Sequence, residues 1–456
     1  MINFDLSELT GEVITRDDFS YEEDRKGWNR ANEQYPFLII YCYKNEDVSN
    51  AIVWAKSNSL PIRVRSGRHN YEGYSNGNDV VIIDISKMNN ISLDEENNKV
   101  TIQCGVQNRE INKLLGGKEY QFPGGGCPTV AIPGLVLGGG WGYSSRVLGL
   151  GCDSLVELEM IDYNGEKIVA NKNINEDLFW ASKGGGGGNF GIVVSMTFEL
   201  SKKISMATLI NIDYQNIDKE ESIEIVQVWQ NMFKDLDRRI NLKMGIYNSE
   251  EKGNGIRITG LFYGNEEEAN NILAPLKNIN NKKNINKMYF NLEYTTILEA
   301  NRKIQDSHPD YEKYKSSGRF VYKDYSKEEL KNIIELIKSR AEGSIYTAIS
   351  FYGLGGAVSD TMKESTAFYY RDAKFIMGIQ SVWEEAKYAP INRQWIVEKF
   401  KYIKSITVGS FINFPLAELE NYEKEYYGEN IDKLKKIKRK YDPHNVFSFP
   451  QGIKGN

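Results

Sequence analysis

One histidine and one cysteine stand in settings suited to nucleophilic chemistry. His69, the only histidine in the first three hundred residues, lies in Arg65-Ser66-Gly67-Arg68-His69-Asn70-Tyr71-Glu72-Gly73-Tyr74-Ser75. A lone histidine also fits a satisfied structural role. Cys127 follows Gly124-Gly125-Gly126 and precedes Pro128-Thr129-Val130, a poor place for a core cysteine. Backbone N–H groups there favour a thiolate. Cys42 and Cys104 differ, because they end the apolar runs 37–42 and 100–104. Both read as buried small hydrophobes on strands.

Glycine supplies the next signal. Runs at 124–126, 138–140 and 184–188 crowd one stretch of chain. Such runs permit close backbone approach and leave N–H groups free for phosphate oxygens. Tight strand connections are the alternative, but three runs so close together point to a large phosphate-bearing ligand. Gly186-Gly187-Gly188-Asn189-Phe190-Gly191 satisfies G-x-G-x-x-G. A Rossmann turn needs a preceding strand and a following helix. Here the helix-like Glu176–Ala181 precedes and the strand-like Ile192–Phe198 follows, so the Rossmann reading is rejected.

These residues need elements to position them. Apolar runs predict strands at 37–43, 62–65, 80–85, 99–104 and 192–198, with a helix near 107–115. Asp47 is placed to cap a helix whose apolar face is Val48, Ala51, Ile52 and Ala55. After about residue 203 the pattern changes to two helix–strand–strand units. One has a helix at 219–235, strands at 240–247 and 255–263, then a short helix. The other has a helix at 326–340, strands at 345–352 and 374–382, then a helix at 390–403. This order predicts an antiparallel sheet covered by helices, an α+β second domain. The polar link 277–287 reads as a surface loop. Ile431, Leu434 and Ile437 among six Lys/Arg residues read as an amphipathic helix with a solvated basic face, ended at Pro443.

Composition excludes whole classes. With three histidines and four cysteines in 456 residues, a multi-site zinc protein and a disulfide scaffold are ruled out. No metal site is expected. A net charge of -5 argues against a nucleic-acid surface. No run approaches the ~18 apolar residues of a membrane span, so no membrane partner is expected. The N-terminus lacks a basic n-region, which predicts a cytoplasmic protein, with export by another route left open. Tyrosine, at 28, is frequent enough to suggest tyrosine-lined grooves.

The segments around His69 and Cys127 resemble the flavin-attachment segments of the berberine-bridge-enzyme-like oxidases. The resemblance continues through Gly138-Gly139-Gly140-Trp141-Gly142, Arg146–Asp153, Asp177-Leu178-Phe179-Trp180, Gly355-Gly356-Ala357, Tyr370-Arg371, Phe411-Ile412-Asn413-Phe414-Pro415 and Lys440–Phe447. It implies an α+β fold with a PCMH or vanillyl-alcohol-oxidase-type FAD-binding domain and an antiparallel-sheet substrate domain. The FAD domain would be residues 1–203, completed by a returning segment at 415–456, with the substrate domain at 204–414.

By that resemblance FAD is tethered twice, His69 carrying the 8α-methyl carbon and Cys127 the C6 of the isoalloxazine. Further cofactor contacts are expected from Arg65, Ser66, Gly67, Arg68, Asn70 and Ser75, and from Thr129, Val130 and Gly134. Gly138, Gly139, Gly140, Gly142, Gly191, Ile192, Val193 and Asn413 complete the set. His308 and His444 are expected to be structural or exposed. The implied reaction removes a proton by a base while hydride passes to flavin N5, and O2 then gives hydrogen peroxide. Val130 matches a place where valine goes with oxygen access.

The sequence departs from the family at the base. Trp141 replaces a tyrosine, Phe411 and Phe414 offer no hydroxyl, and Arg68 stands where glycine is usual. Tyr370 is nominated as base, assisted by Arg68 and Arg371, with Tyr71 and Gln380 as substrate contacts. Tyr370 packing on the second domain is the alternative. The expected substrate is a small molecule with a saccharide or secondary-metabolite hydroxyl, and the expected assembly a monomer or simple homo-oligomer. A ring-forming or C–H-oxidising tailoring enzyme and an inactive flavin binder are the rivals.

Overall fold

In a computed structural model of the chain, residues 4–283 and 288–455 are described. The fold is α+β and contains three sheets among these residues. The first places Glu12–Thr15, Leu38–Tyr41, Val81–Asp84 and Ile62–Arg65 side by side. Its last three strands run parallel. Val81–Asp84 is buried along its whole length, as expected of a strand covered on both faces. The helix Asn45–Ser57 covers this sheet, and Val48, Ala51, Ile52 and Ala55 are fully buried. Asp47 sits one turn inside rather than at the cap. Its Oδ2 accepts the N–H groups of Tyr43 and Lys44 at 3.0 and 3.2 Å.

The second sheet joins Ile91–Asp94, Lys99–Gln103, Ile192–Glu199, Leu155–Ile161 and Lys167–Asn171, all antiparallel. The third is eight-stranded and antiparallel, in the order Met288–Thr296, Met206–Gln215, Gly253–Phe262, Ile240–Ser249, Ser344–Gly353, Phe375–Trp383, Lys313–Val321 and Val408–Ser410. Its helical cover includes Lys219–Met232, Lys327–Leu336 and Ala389–Ile406. The two anticipated helix–strand–strand units lie inside it. The strands Met206–Gln215, Met288–Thr296 and Lys313–Val321 were not anticipated.

Two local expectations change. Residues 277–283 are not loop but the end of the helix Glu266–Lys283, whose Ala269, Leu273, Leu276 and Ile279 are buried at helical spacing. The rest of that expected loop, 284–287, lies outside the described residues. The C-terminal helix Ile431–Tyr441 does bury Ile431, Leu434 and Ile437. Its basic face is not wholly solvated, because Lys438 is fully buried. Lys438 Nζ donates to Asn189 O, Phe447 O and Asp442 Oδ2 at 2.7, 2.7 and 2.6 Å.

Candidate active site

The strand Ile62–Arg65 delivers the chain into the loop that carries His69. Asn70 shapes this loop, its Oδ1 accepting the N–H groups of Glu72 and Tyr74 at 3.1 and 3.0 Å. Arg68 adopts φ 63°, a left-handed conformation that explains why glycine suits this place. Its guanidinium is held by Tyr41 Oη and Asp24 O. A Cβ on Gly67 would lie 2.5 Å from Ala131 N, so the His69 loop presses directly on the loop that carries Cys127.

Thr129 joins the two candidate nucleophiles. Its Oγ1 lies 2.8 Å from His69 Nε2 and 3.9 Å from Cys127 Sγ. Residues 58 positions apart thus share one hydroxyl. The His69 ring stacks on Trp28 at 5.0 Å. Burial, with a smaller push from His308, depresses the imidazole to about 3, which leaves it neutral at physiological pH. The thiol goes the other way. Burial pushes Cys127 up despite the backbone donors of Thr129 and Val130. The expected preference for thiolate is therefore not met, because desolvation outweighs those donors.

Both loops open onto a cavity of about 710 Å³ between the two small sheets and the eight-stranded sheet. That volume lies within the roughly 300–1,000 Å³ of ligand pockets. Ser66, Gly67, Arg68, His69, Asn70 and Ser75 line it. So do Cys127, Val130, Gly134, Gly191, Val193 and Asn413. Tyr71 and Gln380 line it as well. Gly186, Gly187 and Gly188 contribute bare backbone to the wall.

The residues present fit a flavin dinucleotide. A Cβ on Gly134 would meet nothing within 4 Å, and one on Gly187 only Leu137 at 3.5 Å, so both face open space. Trp28 Nε1 and Arg63 Nε, on residues lining the cavity, are buried donors without a partner among the described residues, and Asn211 Oδ1 is such an acceptor. Gly134→Leu is therefore expected to empty the site without unfolding the chain. Flavin content should fall more than about tenfold, while stability changes by about 0.5 kcal/mol or less. Absorbance at the flavin band and a urea titration check this.

Other expected contacts support the wall rather than form it. Gly138 packs on the Asn413 side chain, and Gly142 on the backbone of Gly124. Gly139 and Gly140 hold φ 107° and 87° against Phe368 and Leu135. Arg65 turns away to pair with buried Asp84. Thr129 lies behind the cavity surface, and the Ile192 side chain is in the core.

The nominated base is corrected. Tyr370 is buried away from the cavity, with its ring stacked on Phe320 at 4.3 Å. Its hydroxyl donates to Glu425 O at 2.5 Å, and burial raises its pKa above the ordinary tyrosine range, so it holds its proton. Arg371 is equally committed, with two 2.8 Å bonds to the Asp153 carboxylate. Phe411 packs among Phe320, Phe368 and Phe414. Phe414 does reach the cavity and stacks on Tyr71 at 5.2 Å. His308 and His444 were expected to be structural or exposed; His444 is exposed, whereas His308 lines the cavity.

The large sheet adds groups that sequence reading missed. Lys243 and Tyr352 are cross-strand partners, with Lys243 Nζ 4.9 Å from the Tyr352 ring centre. Tyr352 also contacts Trp141 at 4.9 Å and Phe414 at 5.3 Å. Tyr314, Tyr346 and Glu312 complete this wall. Alternation was the available signal, since Leu242, Met244, Ile349 and Phe351 point into the core and their neighbours to the cavity.

Residues 36–171 match the FAD binding domain family, and residues 410–454 the berberine and berberine-like family. The chain is 34% identical to the uncharacterized FAD-linked oxidoreductase YgaK of Bacillus subtilis, over 98% of this chain and 97% of that protein. Its fold is similar to that of a chitooligosaccharide oxidase, with a TM-score of 0.88, 22% identity, and 99% and 98% of the two chains covered. It is also similar to the glucooligosaccharide oxidase of Acremonium strictum, with a TM-score of 0.88, 21% identity, and 98% and 97% covered. That structure is described as carrying 6-S-cysteinyl, 8α-N1-histidyl FAD. Binding FAD and acting as an oxidoreductase, this chain belongs to the berberine-bridge-enzyme-like family of FAD-linked enzymes.

Proposed function

We propose that the enzyme is an FAD-dependent oxidase of a saccharide hydroxyl, with the flavin tethered through His69 and Cys127 and hydrogen peroxide as the second product. The carrying observation is the wall opposite the two tethers. It presents Tyr314, Tyr346, Tyr352, Gln380 and Asn211 from the large sheet, with Tyr71 reaching them from the His69 loop, a set rich in hydroxyl and amide groups. Rings with polar edges suit a sugar, which offers apolar faces and many hydroxyls. A narrow apolar channel would have favoured the tailoring alternative.

When bound, FAD supplies a two-electron acceptor and a route for those electrons to oxygen. The chain itself supplies position. His69 and Cys127 would hold the flavin ring. Tyr71 is fixed face to face on Phe414 and edge-on to Tyr314 in the cavity wall. Gln380 contributes an amide to the substrate-facing wall. Val130, in the wall beside Cys127, is left small enough for oxygen to pass.

A panel of oligosaccharides with a peroxidase-coupled assay tests the reading. Peroxide release with at least one saccharide is expected. Bleaching by saccharide without peroxide in air would make the enzyme a dehydrogenase. Silence with every saccharide alongside turnover of phenolic or alkaloid substrates would favour the tailoring role.

A further inference from the structure

The places expected to hold the catalytic base carry no usable oxygen. Trp141, Phe411 and Phe414 have none, and Tyr370 lies outside the cavity. Four phenols in the wall are poor bases: burial raises Tyr71, Tyr143, Tyr314 and Tyr346 above the ordinary tyrosine range. One carboxyl remains among the described residues of the wall, that of Glu312.

Glu312 is held firmly at the junction of the two halves. Its C=O accepts Arg30 N–H at 2.7 Å, and its backbone bridges Asn29. It immediately precedes the strand Lys313–Val321, two residues before Tyr314. Its carboxyl forms no hydrogen bond or ion pair with any described residue, although the residue is half-buried in the cavity wall. A buried carboxyl is ordinarily paired or hydrogen-bonded. This one is left for a ligand. It interacts electrostatically with Cys127, the group proposed to hold flavin C6, which is adjacent to the ring carbon bearing N5.

Resting on the oxidase reading above, we propose that Glu312 is the general base that takes the substrate hydroxyl proton. The O–H bond breaks and its proton passes to a Glu312 carboxylate oxygen. The C–H bond breaks with its electron pair, which leaves as hydride to the bound two-electron acceptor. The carbon–oxygen bond becomes a carbonyl, so an alcohol yields an aldehyde, ketone or lactone.

The acid strength of Glu312 suits this task. Burial pushes its carboxyl up to about 7, opposed by the ammonium of Lys243. The groups facing it are Lys243 from strand Ile240–Ser249, Tyr346 from strand Ser344–Gly353, Tyr314 beside it, and Tyr71 and Cys127 from the cofactor loops. The proton-accepting form exists above about 7, so flavin reduction should rise with pH through that value and then level off.

Anaerobic flavin reduction by a saccharide, followed between about pH 5 and pH 9, tests the proposal together with infrared titration of the substrate-free holoenzyme. Glu312→Gln should slow reduction by ~10²-fold or more and flatten the profile. The wild type should show a protonated-carboxyl band that titrates near 7 and is missing in Glu312→Gln. If Glu312→Gln fails to load flavin, Glu312→Asp carries the test, because it must shift that band. Absence of the band in the wild type overturns the proposal. So does a Glu312→Gln rate within a few-fold of wild type. A profile abolished instead by Tyr352→Phe moves the role to the phenol beside Lys243. Failure of any alcohol to reduce wild-type flavin, with the band intact, sinks the oxidase reading instead.

Discussion

Denatured wild-type protein is expected to keep its flavin, and the double variant His69→Ala/Cys127→Ala to release all of it. Each single variant should retain flavin through the remaining tether. The expectation rests on the shared hydroxyl of Thr129, which holds both nucleophiles at one edge of the cavity. The two nucleophiles start from different states. His69 is neutral at physiological pH and needs no deprotonation before attack. Cys127 carries a thiol pushed up by burial, so its bond forms only as it loses a proton. Attachment through Cys127 alone, in His69→Ala, should therefore speed up as pH rises towards the thiol range. Attachment through His69 alone, in Cys127→Ala, should be nearly independent of pH above about 5. Acid precipitation followed by the visible spectrum of the pellet, with intact-protein mass spectrometry, reads both results. Flavin in the wild-type supernatant would refute covalent attachment. Loss of flavin from either single variant would show that the tethers depend on each other.

The cofactor half of this site was legible because its chemistry is local. His69, Cys127 and the glycines around them sit in short contiguous segments, and the structure brings the segments together. Glycine was only partly readable. Gly134 and Gly187 are bare because a side chain would enter the cavity, whereas Gly138 and Gly142 are bare because other parts of the chain press on them. A row of glycines looks the same in either case. The substrate half was hidden for another reason. Lys243, Glu312 and Tyr352 come from three separate strand regions, and only the sheet order makes them neighbours of one another and of Gln380, which the sequence reading had named. Tyr370 misled because proximity to Arg371 in sequence does not survive folding. The two side chains diverge, one to the Glu425 carbonyl and the other to Asp153.

Lys438 illustrates the same limit, and its replacement should have the largest effect on stability. Lys438→Met is expected to destabilise the protein by about 3–5 kcal/mol, the usual cost of breaking a buried pair from one side. In sequence this lysine is one of a basic run on an amphipathic helix. In the fold both it and Asp442 are fully buried, one helical turn apart. Its three bonds tie the helix to the Gly186–Gly191 segment through Asn189 O and to the C-terminal turn through Phe447 O. Methionine matches the stem but leaves both carbonyls without their donor and Asp442 without its counter-charge. Asp442 would keep only the N–H groups of Val446 and Phe447, at 2.8 and 2.9 Å. The adjoining Phe449 and Gln451 line the cofactor cavity, so a loosened turn should weaken flavin retention before tethering. Lys438→Met/Asp442→Asn separates the causes, since it removes the stranded charge while keeping most of the volume. The double variant should recover about half of the loss, an interaction of the size double-mutant cycles find for touching residues. Urea midpoints of flavin-loaded protein give both numbers. A Lys438→Met loss below about 1 kcal/mol would mean that the buried pair is no more stabilising than one at the surface.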